Sequence, residues 1–299
     1  MTAYQGMDKK WFQFDAIDWL LVAAIVGLSV FLLAAIFEPA ILAWRNRPRA
    51  GAQVCQQYMV RVGKNAEETE INYLLYLPRS YDEQKGTAPF LRPTNVTRKR
   101  VPPSVPAAKI GTAPKKWPLV VFLHGSGERG RDLERVRRTG LPREVERGNH
   151  GDFILVSPQC PKDSSWNPEL VVALIEHITA SFAADPDRVY LTGYSMGGFG
   201  TWQTACQYPD RFAAIVPLSG GGDVRQAEKL KNMPIWAFHG AKDETVPLKA
   251  SKEMVDAVRK CGGHVEFTVY PEEGHGICET TYQNPKLYEW LLAQRRHKP

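Results

Sequence analysis

Six short apolar runs, rich in Val, Ile and Phe, recur between Leu119 and Tyr270: LVVFLHG, FILVSPQ, RVYLTG, FAAIVPLSG, PIWAFHG and HVEFTVY. Runs this short and this continuous predict strands covered on both faces, because a strand with one wet face alternates apolar and polar residues. The segments between them follow a helical period instead. Leu170, Val171, Leu174, Ile175, Ile178 and Phe182 stand at steps of three and four, and Asp185-Pro186 closes that stretch. Strand alternating with helix predicts an α/β chain with a mostly parallel central sheet and helices on both faces. Ahead of it, Tyr58 to Val62 and Ile71 to Leu77 predict two strands joined by a polar turn, an antiparallel start. With 43% hydrophobic residues in a chain of 299, there is enough apolar material for such a core. Parallel sheets carry their reactive loops at the carboxyl ends of the strands, so those loops hold the candidates.

The first is Gly193-Tyr194-Ser195-Met196-Gly197, which follows the expected strand Arg188 to Thr192 and precedes an expected helix through Thr201 to Gln207. G-x-S-x-G between a strand and a helix is the context in which a tight turn presents a serine hydroxyl above a sheet. Gly197, Gly198 and Gly200 let the helix approach the neighbouring strands. A serine hydroxyl is a weak nucleophile until a base takes its proton and a carboxylate orients that base. Both appear downstream at strand ends: Asp243 in HGAKDETVP and His275 in PEEGHG. Glu244, beside Asp243, and Asp223, ending a glycine turn, are the competing acids; His239 and His124 are read as structural neighbours of the site. The developing oxyanion needs donors. The turn His124-Gly125-Ser126-Gly127 supplies the Ser126 N–H, with Gly127 as alternate, and the Met196 N–H completes the pair. Trp166 and Tyr194 are expected as walls of an acyl pocket. Gly125 to Gly130 also satisfies G-x-G-x-x-G, but Arg129-Gly130-Arg131 delays the helix that a dinucleotide site requires there.

Outside this region the chain is locally biased. Gln84 to Trp117 holds six prolines, eight Lys or Arg and no acid, and reads as an extended insertion. Removing those eight charges from the net +6 leaves the remainder at −2, which argues against a nucleic-acid-binding face. Trp19 to Phe37 is uncharged and fenced by Asp18 and Glu38, and as a helix would reach about 28 Å, the thickness of a bilayer's hydrocarbon. It predicts a single-pass membrane anchor within residues 1–50, with the catalytic domain over 51–299. A cleaved signal peptide with Lys9 and Lys10 as its basic region fits less well, since the run is long and Arg45, Arg47 and Arg49 follow it. Those charges favour neither face of the membrane. The five cysteines form no C-x-x-C pair and read as buried free thiols, with a Cys261 to Cys278 bridge as the alternative.

Taken together, HGSGERG, DPDRVYLTGYSMGGFGTW, YPDRFAAIVPLSGGGD, WAFHGAKDETVP and YPEEGHG resemble the α/β-hydrolase superfamily. The similar branch is that of esterases and peptidases, including the catalytic domains of dienelactone hydrolase, polyhydroxybutyrate depolymerase, feruloyl esterase and prolyl oligopeptidase. The resemblance runs from about Tyr58 to Gln294, the insertion excepted. It implies a Ser195, His275 and Asp243 triad, an acyl-enzyme, and hydrolysis by water without metal or cofactor. The expected activity is carboxylic-ester hydrolysis. Peptide-bond cleavage by the same residues is the runner-up, and a membrane-anchored binding module without turnover is the reading from another class.

Overall fold

The computed structural model describes residues 46–62, 68–84, 115–149 and 151–296. The expected anchor over 19–37 and nearly all of the insertion lie outside the described residues. Among those described, no helix is long and apolar enough to cross a membrane.

Eight strands form one sheet: β1 (Gln53–Arg61), β2 (Glu68–Tyr76), β3 (Trp117–Leu123), β4 (Ile154–Pro158), β5 (Ala184–Tyr194), β6 (Ala214–Leu218), β7 (Ile235–Gly240) and β8 (Val265–Tyr270). Their order across the sheet is β1-β2-β4-β3-β5-β6-β7-β8. β1 pairs antiparallel with β2, and β2 with β4; every later pairing is parallel. The six apolar runs are thus β3 to β8. β3, β4 and β6 are buried at every residue, as strands packed on both faces must be. β1 begins earlier than its expected Tyr58, because its polar Gln56 and Gln57 stand on the outermost strand, paired on one side only among the described residues.

The helices are α1 (Leu133–Arg137), α2 (Gly140–Glu146), α3 (Pro168–Ser181), α4 (Met196–Gln207), α5 (Leu248–Lys260), α6 (Cys278–Tyr282) and α7 (Pro285–Ala293). Asn167 caps α3 by accepting the Glu169 N–H, and Pro168 opens its first turn. The buried face of α3, Val171, Leu174, Ile175 and Ile178, joins the same apolar cluster as Leu119 and Val121 of β3 and Trp202 of α4. A second cluster, with Val120, Phe122, Tyr190, Val216 and Phe238, fills the opposite side of the sheet against α2, α6 and α7.

One boundary differs from expectation. Asp185-Pro186 does not lie beyond α3 in a loop but inside β5, whose register against β3 jumps from Trp117↔Ala184 to Leu119↔Val189. Pro186, lacking an N–H, occupies the part of the strand that loops out of the ladder. Asp185 and Asp187 there hold Arg188, Arg295 and Arg296.

Candidate active site

β5 ends at Tyr194, and α4 begins at Met196, so the whole strand-to-helix reversal falls on Ser195. Its φ of 56° and ψ of −118° put a non-glycine residue in the left-handed half of the map. The turn is held from both ends: the Ser195 N–H donates to the Leu218 carbonyl at 3.0 Å, and the Phe199 N–H donates to the Ser195 carbonyl at 3.0 Å. The flanking glycines are required for close approach. A Cβ on Gly197 would overlap the Leu123 carbonyl, one on Gly198 the Leu218 carbonyl, and one on Gly200 would lie 2.8 Å from the Trp166 side chain. Glycine therefore lets α4 lie against the ends of β3 and β6 with its first turn aimed at the serine.

Three loops, from β5, β7 and β8, converge here. His275 Nδ1 lies 2.7 Å from Asp243 Oδ2, and His275 Nε2 lies 2.9 Å from Ser195 Oγ. A carboxylate only accepts, so Nδ1 carries the hydrogen and Nε2 is left to accept from the serine hydroxyl. Asp243 is held by its own loop: Oδ1 accepts the N–H groups of Thr245 at 2.9 Å and Val246 at 2.8 Å. Burial alone would raise this carboxyl, but the hydrogen bonds from His275, Val246 and Thr245 outweigh it and keep the group below the ordinary carboxylate range. The competing acids stand elsewhere. Glu244 is exposed, and Asp223 caps the turn after β6 and binds Arg225.

Across the serine lies the turn Gly125 to Glu128, in which a Cβ on Gly125 would stand 3.7 Å from that of Ser195. Ser126 and Gly127 are exposed in it. The N–H groups of Ser126, Gly127 and Met196 belong to the first residues of helical turns and so have no acceptor within them. No helix starts at Gly130; α1 begins at Leu133, and the dinucleotide geometry is not formed. His124, buried, fixes the turn's base. Its Nδ1–H donates to the Gly125 carbonyl at 2.5 Å, while its Nε2 accepts the Cys160 N–H at 2.9 Å. Burial lowers its pKa to about 4, so it is neutral near pH 7.

The two expected pocket residues separate. Trp166 is buried, donates its indole N–H to the His124 carbonyl at 3.1 Å, and packs edge-on to the His124 ring. It braces the turn from behind and is not among the residues lining the adjoining cavity. Tyr194 does line it; its hydroxyl donates to the His275 carbonyl at 2.8 Å and its ring lies 4.9 Å from the imidazole. The cavity, about 190 Å³, is walled otherwise by Phe122, Gly140 and Cys278, with Glu128, Arg138, Arg143 and Glu279 at its polar side. Arg143 pairs with Glu279 at 2.7 Å, and burial raises the Glu128 carboxyl. Sequence reading missed these walls because α1, α2 and α6 are five to seven residues long, too short to show a period; the one available signal was Glu128 within HGSGERG. All five cysteines are free, so Cys261 and Cys278 form no bridge.

Residues 165–288 match the family described as Phospholipase/Carboxylesterase. The chain is similar to poly(3-hydroxyalkanoate) depolymerase C of Paucimonas lemoignei, 30% identical over 125 residues, covering 36% of this chain and 29% of that protein. It is also similar to a probable carboxylesterase SOBER1-like of Arabidopsis thaliana, 30% identical over 139 residues, 44% of this chain and 52% of the relative. Among solved structures, a thermostable esterase superposes with a TM-score of 0.61 at 31% identity, covering 81% of this chain and 63% of that one. The chain therefore spans less than two thirds of the length of these relatives. A parallel sheet entered by an antiparallel pair and a serine on the turn after β5 give the chain an α/β-hydrolase-like fold, and in sequence it is similar to esterases with that fold.

Proposed function

We propose that the chain is a serine hydrolase of carboxylic esters, working through Ser195, His275 and Asp243. The observation that carries this reading is the unbroken string Asp243 Oδ2, His275 and Ser195 Oγ, at 2.7 and 2.9 Å. Ser195 Oγ passes its hydrogen to His275 Nε2 and attacks the acyl carbonyl. Asp243 keeps the other imidazole hydrogen on Nδ1 and stabilises the imidazolium that forms. The oxyanion is met by the N–H of Met196, at the positive end of α4, and by that of Ser126, with Gly127 next to it. His275 returns its proton to the leaving alcohol; a water then repeats the sequence and frees the acid. A cavity of about 190 Å³ lined by Gly125, Tyr194 and Gly276, the sequence neighbours of Ser126, Ser195 and His275, has room for a short acyl or alcohol group.

The uncharged run Trp19 to Phe37 supports a further part of this reading, that the catalytic unit is held at a bilayer by one N-terminal helix. Carbonate extraction of membranes carrying the full chain, compared with a chain beginning at Gly51, tests it; release of the full chain would refute the anchor.

The chemistry is tested with short aryl esters set against peptidyl aryl-amides, in parallel with labelling by a fluorophosphonate. Ester turnover and labelling are expected, and Ser195→Ala is expected to abolish labelling and lower turnover by about 10⁴-fold or more. Preference for the amides would convert the reading to a peptidase, and an unlabelled, inactive chain would leave only a binding module.

A further inference from the structure

Resting on that triad, we infer that His239 is a positioning residue of the site: a second imidazole that braces the loop of Asp243 and stands against its carboxylate. His239 and Asp243 are both completely buried at their side chains, and His239 Nε2 lies 3.3 Å from Asp243 Oδ2. The same nitrogen lies 2.9 Å from the Val246 carbonyl. A carbonyl only accepts, so Nε2 carries a hydrogen and donates it to Val246, the residue whose own N–H is bound to Asp243 Oδ1. Oδ2 thus accepts the Nδ1–H of His275 with His239 Nε2 standing 3.3 Å away, while Oδ1 takes two N–H groups from the backbone.

The far side of His239 is tied as well. With its hydrogen on Nε2, the ring accepts at Nδ1 from the Ser251 hydroxyl of α5 at 2.7 Å, and the Gly220 carbonyl, in the turn after β6, lies 2.7 Å from that same oxygen. Gly220 in turn abuts α4, where a Cβ on it would lie 2.6 Å from the Phe199 nitrogen. One ring therefore links the loop of the acid to the helix whose first turn presents the nucleophile. Two consequences follow for catalysis. The carboxylate is fixed where His275 needs it. Its charge is also drawn partly toward His239, so that it stabilises the His275 imidazolium less than a carboxylate held by His275 alone.

Tyr194 interacts electrostatically with Asp243, and Cys278 and Glu128 act on Tyr194 in turn. Burial pushes Tyr194 and Cys278 above the working range, and it raises Glu128. Lys242, Glu244 and Lys249, nearby in sequence, are exposed. Glu128→Gln therefore serves as the background for the pH measurements.

The test compares His239→Phe, which fills the space without a donor, with His239→Gln, which keeps an N–H. For His239→Phe we expect kcat on a short aryl ester to fall about ten-fold, from the loss of the donor that holds the Val246 carbonyl in the loop of the acid. KM should stay within about two-fold, and the acid-limb midpoint of kcat/KM should rise by about half a unit. His239→Gln should recover most of kcat and return the midpoint. An unchanged midpoint with kcat falling only in step with thermal stability would overturn the inference, because packing alone predicts that pattern. Should His239→Phe fail to fold, nitrogen-15 spectra of the wild-type imidazoles decide: a hydrogen on His239 Nε2 supports the assignment, and a bare Nε2 refutes it. Loss of the triad reading is distinguished by Ser195→Ala, which would then keep its activity.

Discussion

Replacing Asp243 by Asn tests the acid in a way that its surroundings make unusually definite. The amide has one oxygen and one NH₂, and the two carboxylate positions are not equivalent. Oδ1 accepts two backbone N–H groups, at 2.9 and 2.8 Å, so the amide oxygen must stay there. The NH₂ is then forced toward His275 Nδ1, at the 2.7 Å position. Donor meets donor unless the imidazole changes tautomer, and the hydrogen moves to Nε2, where it faces Ser195 Oγ. The base is then blocked rather than removed. Blocking of this kind lowers kcat by about 10⁴-fold with KM little changed. The second hydrogen of that NH₂ points toward His239 Nε2, 3.3 Å from the replaced atom, where it meets no acceptor, and a buried donor left without a partner costs about 1–3 kcal/mol of stability. The assay is hydrolysis of a short aryl ester under saturating substrate, with fluorophosphonate labelling and urea unfolding of the same preparation. If Asp243→Asn retains more than about a tenth of kcat while Glu244→Gln loses it, the acid has been misassigned.

Other outcomes follow from the same contacts. His124 titrates at about 4 in the folded chain, below its ordinary 6.5. The unfolded chain therefore binds the extra proton first, and stability is full above about pH 6.5 and falls by about 3 kcal/mol as pH drops to 4. Urea unfolding at pH 7 and pH 4.5 measures the slope, which His124→Asn should flatten; an unaltered slope would refute the assignment. Gly197→Ala drives a methyl into the Leu123 carbonyl and should cost about 1–3 kcal/mol or more and most of the activity; a soluble, fully active variant would contradict the turn. Trp166→Phe removes the N–H held by the His124 carbonyl. It should cost about 1 kcal/mol and lower kcat while leaving the ranking of acyl lengths unchanged; a changed ranking would restore Trp166 to the pocket wall.

Much of the architecture was readable because burial on both faces writes strands as continuous apolar runs, and β3 to β8 are those runs. The catalytic candidates were readable for a related reason: each follows such a run directly, at Ser195, Asp243 and His275. Pro186 misled the reading of β5, since a proline argues against a strand unless the ladder is interrupted there, and interruption is a property of pairing with β3. The spatial order, with β4 outside β3, depends on contacts between distant segments and leaves no local trace. Trp166 and Tyr194 looked equivalent as aromatic residues near strand ends. Their difference lies in direction: the indole faces the His124 carbonyl in the core, and the phenol faces the cavity and the His275 carbonyl. His239 was recognised as a neighbour of the site, but its contact with Asp243 depends on how the loop after β7 folds back.

The serine, the carboxylate and the imidazole come from the ends of β5, β7 and β8, which adjoin through β6 on one half of the sheet. No two of them are brought together by a local hairpin or a single helix. On the proposed triad, turnover is an all-or-none gauge of assembly: during refolding, helical signal can return before any hydrolysis, and the first hydrolysed ester would report that the last of these parallel strands has found its neighbour.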